Sequence, residues 1–74
     1  MNIMTLETIH QLLKQEAERT KTVADNARRL LHRFEADGAD TLLIEDQRAA
    51  ATMYGKEASR VADALKDFET TDWN

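Results

Sequence analysis

The chain has few residues whose type and spacing suit catalysis or metal binding. Glu7 and His10 are three positions apart, so on a helix they would lie on one face. This Glu-x-x-His spacing supplies ligands to di-metal sites in helical bundles, where a second copy must lie at the same level. The chain holds the motif once, and only a symmetric dimer would bring two copies together. Because the helix dipole alone favours a carboxylate at a helix start, we predict no metal site.

The other candidate groups lack suitable partners. His10 and His32, the only histidines, would be about 33 Å apart along a helix and cannot share a metal ion. Glu16 and Glu57 fall near the helix contact predicted below, but neither is followed by a histidine at the di-metal spacing. Ser59 is the only serine, and no histidine near it in the sequence could act as its base. Cysteine and a glycine-rich phosphate loop are also absent. We therefore predict no enzymatic activity, no cofactor and no small-molecule substrate.

The composition is that of a small helical protein. The 74 residues allow one small domain. Proline is absent, and Ala, Leu, Glu, Lys, Arg and Asp dominate. No apolar run approaches the ~20 residues that span a bilayer, and the N-terminal segment lacks the basic leader of a signal peptide. We therefore expect a cytoplasmic protein that does not enter a membrane.

Apolar and small residues recur at steps of three or four in both halves of the chain, which indicates two amphipathic helices. The pattern predicts helix 1 at about residues 5–36, a turn at 37–40, helix 2 at about 41–69 and a tail at 70–74, all in a single domain. The first series is Leu6, Ile9, Leu13, Ala17, Thr20, Ala24, Ala27, Leu31 and Phe34, and the second is Ile44, Gln47, Ala51, Tyr54, Ala58, Val61, Leu65 and Phe68.

The helix ends and the short connection predict an antiparallel hairpin. Thr5 or Asn2 can cap helix 1, Gly38 suits the left-handed position just past its end, and Asp40 can cap helix 2. Each helix would be about 40 Å long or more. Because only a few residues join them, the two helices must lie side by side in opposite directions. The predicted fold is therefore all-α.

Residues equidistant from position 39 should face each other in such a hairpin. Leu13 then faces Leu65, and Phe34 faces Ile44. The same rule places opposite charges at matching levels. We expect these ion pairs to select the register more than to stabilise it, since an exposed pair contributes ~0–1 kcal/mol. The expected pairs are Arg33 with Glu45, Lys21 with Glu57, and Glu18 with Arg60.

Small residues meet at the middle of the predicted hairpin. Ala24 and Ala27 of helix 1 face Ala51, Gly55 and Ala58 of helix 2. Small side chains on both sides would let the two backbones approach closely. We interpret Gly55 as a packing glycine, whose cost of ~1 kcal/mol in helix propensity is offset by a close contact.

Several apolar residues remain outside this contact, and a single hairpin of this size has a marginal core. A two-fold homodimer forming a four-helix bundle would cover them. A different protein docking on the same face would also cover them. These residues are Leu12, Leu30, Leu42, Leu43, Met53 and Ala64.

The charge is distributed unevenly and favours a basic partner. The net charge is -4, and the whole excess lies in residues 38–74, which disfavours non-specific nucleic-acid binding. Trp73 could anchor a partner or pack against Leu6 at the end of a bundle. We predict a non-catalytic adaptor or inhibitor of a larger protein, such as a basic nucleic-acid-binding protein. It would bind through the remaining apolar face or through an acidic surface comprising Asp46, Asp63, Asp67, Glu69, Asp72 and Trp73.

A nucleic-acid-binding regulator is the alternative that the charges leave open. A broken basic ridge follows helix 1, although acidic residues interleave with it and no aromatic residue accompanies it. Its members are Lys14, Lys21, Arg28, Arg29, His32 and Arg33.

A second route to nucleic-acid binding comes from residues 47–66. Ala51, Gly55 and Val61 have a spacing that resembles the helix-turn-helix family. The resemblance implies a turn at Gly55 and a recognition helix after it. The chain departs from the family pattern at Lys56, where an apolar residue usually follows the turn glycine, and at Glu57, where the helix cap usually lies.

Overall fold

A computed structural model of the chain describes residues 5–73, which form two helices and no strand. Helix α1 spans Leu6–Ala36 and helix α2 spans Thr41–Thr70. The helices run antiparallel in a hairpin 55 Å long, 25 Å wide and 15 Å thick. The expected all-α hairpin is confirmed, and both helices lie within one residue of their predicted bounds. No described helix is long and apolar enough to cross a membrane.

The turn is built as its sequence predicts. Gly38 has a φ of 68°, the left-handed conformation that glycine adopts without steric cost. The amide of Gly38 bonds the Glu35 carbonyl at 3.3 Å, and the amide of Ala39 bonds the Phe34 carbonyl at 3.0 Å. These two bonds close α1 with a Schellman motif. Asp40 then caps α2, because its carboxylate accepts a 2.9 Å hydrogen bond from the Leu42 amide.

The start of α1 is capped by Thr5. Its hydroxyl oxygen accepts a 3.1 Å hydrogen bond from the Thr8 amide, which satisfies one of the free amides of the first turn. Asn2, the alternative cap, lies outside the described residues, as does Asn74 of the predicted tail.

The core is thin and consists of small side chains. Ala24, Ala27 and Ala51 are buried, and Thr20 is buried beside them. The Thr20 hydroxyl donates to the Glu16 carbonyl at 2.9 Å, so this buried polar group is satisfied. No large side chain among residues 5–73 is fully buried. The predicted larger contacts at the two ends are only half-buried: Leu13, Phe34, Ile44, Leu65 and Phe68.

The prediction of three ion pairs between the helices is wrong. None of them forms among the described residues. Lys21 and Glu57 show the reason. They are equally far from the turn along the hairpin, but they lie on different faces of it. Glu57 lines one face with Arg19, and at 100° per residue Lys21 lies on nearly the opposite side of α1 from Arg19. The pairs that do join the helices are His10 with Glu69 and Glu35 with Arg48.

Gly55 does not have the role that we predicted for it. A Cβ atom added at Gly55 would meet no heavy atom within 4 Å, so the glycine is not required by a close contact. Tyr54, the preceding residue, lies beside Thr20 and Val23 instead. The other predicted packing residue of this stretch, Ala58, is partly buried.

The helix-turn-helix interpretation of residues 47–66 is also wrong. The whole segment lies inside α2, and Gly55 does not have a positive φ. A recognition helix that begins after a turn at Gly55 is therefore absent from this part of the chain.

Candidate functional site

The hairpin has two broad faces of different chemistry. One face, here called the polar face, carries both ion pairs between the helices. His10 Nε2 lies 2.8 Å from Glu69 Oε2 near the open end, and Arg48 Nη2 lies 3.2 Å from Glu35 Oε2 near the turn. Polar side chains thus cover the contact between the helices on this face, near both ends of the hairpin.

The opposite face, here called the apolar face, consists of Leu12, Val23, Leu30, Met53 and Ala64. The first three lie on one line of α1, because spacings of eleven and eighteen residues are close to three and five full turns. Met53 and Ala64 are related in the same way on α2. Leu12, Leu30 and Met53 are 47%, 40% and 58% exposed. Two large apolar side chains exposed on α1 and one on α2, all on the same face, indicate an interaction surface.

A shallow groove runs between the two helices on the apolar face. It has a volume of about 470 Å³, which is within the range of ligand pockets. Its floor is apolar, and its rim carries acidic and basic groups. The lining residues are Leu13, Glu16, Met53, Glu57, Arg60, Val61 and Ala64.

Four charged residues lie at the middle of the apolar face: Glu16, Arg19, Glu57 and Arg60, here called the charged quartet. Arg19 donates two hydrogen bonds to the Glu16 carboxylate, from Nε at 3.1 Å and from Nη2, in the paired geometry that favours arginine. This hydrogen bonding lowers the pKa of Glu16 and raises the pKa of Arg19, and the Glu57 carboxylate adds a smaller upward effect on Arg19. The quartet holds two acids and two bases and is neutral overall.

The hairpin exposes more surface than a compact monomer of its mass. Its accessible surface is 5973 Å², whereas a compact monomer of 8.5 kDa exposes about 4,650 Å². The excess of roughly 1,300 Å² exceeds the ~800 Å² that each partner buries in a standard protein–protein interface. A large uncovered area thus accompanies the exposed apolar side chains.

The acidic residues predicted as a partner-binding surface do not form one cluster. Asp63 and Asp67 are one turn apart on the outer side of α2 and are exposed. Asp46 lies about 25 Å from Asp63 along the helix. Glu69 is on the polar face, bound to His10, and Asp72 follows the end of α2.

Trp73 packs onto its own helix. Its ring lies 5.0 Å from the Phe68 ring, and its Nε1 donates a 3.0 Å hydrogen bond to the Phe68 carbonyl. That carbonyl is one of the last four of α2, which have no partner within the helix. Trp73 therefore closes the end of α2 while remaining half-exposed.

Sequence reasoning missed the cluster around His10 at the open end. The His10 ring stacks on the Phe68 ring at 5.6 Å, and its Nε2 contacts Glu69. His10 and Phe68 are equidistant from position 39, so the rule that paired the apolar residues could have found them.

Two arginines of the basic ridge on α1 are held by their own helix. Arg28 bonds Asp25, and Arg29 Nη2 donates to Asn26 Oδ1 at 2.7 Å. The ridge is therefore partly neutralised. Within residues 5–73, no group of three or more His, Cys, Asp or Glu side chains is arranged to hold a metal ion.

Comparisons of the chain with protein-family models, with curated proteins and with solved structures found no match.

Proposed function

We propose that this chain is a non-catalytic protein-interaction module that works as a homodimer, in which two hairpins pack their apolar faces into a four-helix bundle. The observation that carries the proposal is the apolar face itself. Leu12, Leu30 and Met53 are exposed on one side of a hairpin that has no fully buried large side chain among its described residues. A second hairpin would supply the missing half of the core.

The area available matches this assembly. The elongated hairpin exposes roughly 1,300 Å² more than a compact monomer of its mass, which is more than each partner buries in a standard interface. Fully burying a Leu or Met side chain contributes about 1.5–3 kcal/mol. Three such side chains per subunit, already half-covered, would give an appreciable part of the association energy.

The charged quartet favours a second copy over an unrelated partner. An interface core is normally depleted in charge, so charged groups that enter it need partners of opposite sign, and within each chain only Glu16 and Arg19 of the quartet form an ion pair. In a two-fold dimer the second chain supplies the same four residues, and the charges of these residues sum to zero. Glu16, Arg19, Glu57 and Arg60 could therefore satisfy each other between subunits.

The dimer would leave the outer side of α2 free for a larger protein. Asp63 and Asp67 lie there, and each chain carries a net charge of -4. We propose that the dimer acts as an adaptor or inhibitor whose protein partner is basic, because an acidic surface steers and selects such partners.

The mass in solution tests the dimer directly. Multi-angle light scattering of the wild-type chain should give twice the chain mass. Leu30→Glu should give the mass of one chain, because it places a carboxylate among the apolar side chains of the contact. Thr22→Glu is the matched control, since Thr22 is exposed on the outer side of α1. A wild-type chain that remains a monomer at high protein concentration would contradict the proposal.

Charge reversal tests the proposed partner surface. Asp63→Lys together with Asp67→Lys should abolish the binding of a captured basic partner while the dimer mass and the helical circular dichroism persist. Partner binding that survives this change excludes the outer side of α2. Salt-sensitive binding of duplex DNA or of RNA by the wild-type dimer would instead support the nucleic-acid alternative.

A further inference from the structure

We infer that the two hairpins of the dimer are related by a two-fold axis along their length, so that both Gly38 turns lie at one end of the bundle. The inference rests on the proposed homodimer and specifies its geometry. A face that packs against its own copy allows two limiting orientations, with the axis along the hairpin or across it. The charged quartet distinguishes between them.

The level of a residue is its position along the length of the hairpin. A two-fold axis along the hairpin leaves the level of every residue unchanged. Residues at one level in the hairpin then also meet across the interface. Arg19 and Glu57 line one small cavity of about 40 Å³, so they are at the same level. Arg19 of each subunit would therefore meet Glu57 of the partner subunit.

The second half of the quartet follows the same pattern. Glu16 and Arg60 line the groove of the apolar face together. With the axis along the hairpin, Glu16 of each subunit lies near Arg60 of the partner subunit. The whole quartet is then complementary, with four contacts between opposite charges across the dimer.

An axis across the hairpin reverses the levels and brings like charges together. With full overlap, the midpoint of each helix meets its own counterpart. Arg19 lies within two residues of the midpoint of Leu6–Ala36, and Glu57 within two residues of the midpoint of Thr41–Thr70. Each therefore falls within about 6 Å, along the axis, of the same residue in the other subunit. Two arginines and two glutamates would face each other at the centre of the contact, which is unfavourable.

The apolar side chains are accommodated by the favoured orientation. Leu12 is level with Ala64, and Val23 is level with Met53, so Leu12 and Met53 each meet a smaller side chain. Such alternation lets facing layers interdigitate. The reversed orientation also buries these residues, for it sets Leu12 against Leu30. The charges therefore decide between the two orientations.

The favoured orientation gives the dimer two different ends. Both turns lie at one end, and both copies of Trp73 and of the acidic residues Asp67 and Glu69 lie at the other. A basic partner that binds this second end would meet two identical acidic sites side by side. Binding through two sites raises the apparent affinity without any new kind of contact.

Distances between spin labels test the orientation. The chain has no cysteine, so Asp37→Cys introduces one label per subunit beside the turn. Electron–electron double resonance should give a label separation of about 30 Å or less, because the turns are then roughly one or two interhelix spacings apart. With the axis across the hairpin, the separation approaches the 55 Å hairpin length.

A mixed dimer provides the matched control. Gln11→Cys labels the open end of α1, about 39 Å along the helix from position 37. Dimers that pair one Gln11→Cys chain with one Asp37→Cys chain should show a long distance, whereas the reversed orientation would make it short. A dimer with a long 37-to-37 distance overturns the orientation and leaves the homodimer intact. A monomeric mass overturns both.

Charge exchange provides a second test that does not depend on labels. Arg19→Glu alone should raise the dimer dissociation constant about tenfold, because it sets like charges against each other twice. Adding Glu57→Arg to the same chain should restore the wild-type value. With the axis across the hairpin, position 19 faces position 19 of the partner subunit and position 57 faces position 57. Both variants therefore keep the same contacts between like charges. An unchanged dissociation constant in both variants would therefore contradict the inference.

Discussion

Gln47 Nε2 donates a 3.0 Å hydrogen bond to the backbone carbonyl of Ala27, which joins the two helices in the half of the hairpin nearer the turn. Ala27 is buried and Gln47 is half-buried. The buried side chains of the contact are three alanines and Thr20, so few side-chain shapes fix one helix against the other. A single polar residue in a helix seam can set the register, and we assign that role to Gln47.

Gln47→Ala should therefore lower the free energy of unfolding by about 1 kcal/mol, the usual contribution of one hydrogen bond. Gln47→Met keeps the volume and removes the donor, so it separates the hydrogen bond from packing. The measurement is urea denaturation at one fixed protein concentration, because the stability of a dimer depends on concentration. Gln11→Ala, at an exposed position of α1, is the control. Equal stability of wild type and both Gln47 variants would remove this role.

The helices and the turn could be predicted from the sequence because their causes are local. The three-to-four spacing of apolar residues fixes each helix, and Gly38 fixes the turn through its positive φ. The antiparallel arrangement then follows from two long helices and a short connection. Position along the hairpin was also predictable, because His10 and Phe68 are equidistant from position 39 and their rings stack.

The rule that pairs residues equidistant from position 39 does not take into account the rotation of each helix about its axis. Lys21 and Glu57 are level and opposite in charge, yet they lie on different faces, so their expected ion pair does not form. Gly55 was misassigned for the same reason, since it lies to one side of the contact that Tyr54 occupies. The apolar face is visible in the sequence as unassigned leucines. The position of Arg19 and Glu57 on this same face could not be predicted from the sequence, because it depends on the rotation of each helix about its axis.

The contact of His10 with Glu69 and Phe68 predicts a local effect at the open end. His10→Ala removes the 2.8 Å bond to Glu69 and the stacking on Phe68. Amide hydrogen exchange should become faster in the first turns of α1 and the last turns of α2, with little change near Gly38, because ends open locally before the whole fold does.

The two histidines provide a matched pair for this measurement. His32 is exposed, and its only ion pair within residues 5–73 is a 3.7 Å contact with Glu35 on its own helix. His32→Ala should leave exchange at the open end unchanged. Equal exchange in the two variants would show that His10 does not hold the helix ends together.

The open space around Gly55 predicts that Gly55→Ala is stabilising. The position is helical, and a Cβ atom would meet nothing within 4 Å. Replacing glycine by alanine in a helix interior contributes about 1 kcal/mol. Thermal or urea unfolding measures the change. Gly38→Ala is the opposite control, since its φ of 68° is strained for alanine and the variant should lose about 1 kcal/mol. A destabilised Gly55→Ala chain would mean that another surface packs closely over this side of α2.

The hydrogen bonds from Arg19 to Glu16 predict a specific loss of stability in acid. They lower the pKa of Glu16 from its ordinary value of 4.5. The folded chain therefore binds this proton more weakly than the unfolded chain does. The resulting stability is present above a pH of about 4.5 and is lost as the pH falls through the lower folded pKa. Because the carboxylate is solvent-exposed, the contribution is small.

Glu16→Gln removes the titrating group, so it should be less stable than wild type at pH 7. The difference should narrow below pH 4.5 and vanish once the wild-type carboxylate is protonated. Urea midpoints measured from pH 7 down to pH 3 follow this change. Glu18→Gln is the control, because Glu18 forms no ion pair within residues 5–73. A Glu16→Gln deficit that stays constant across the whole pH range would show that Glu16 acts through packing and not through its charge.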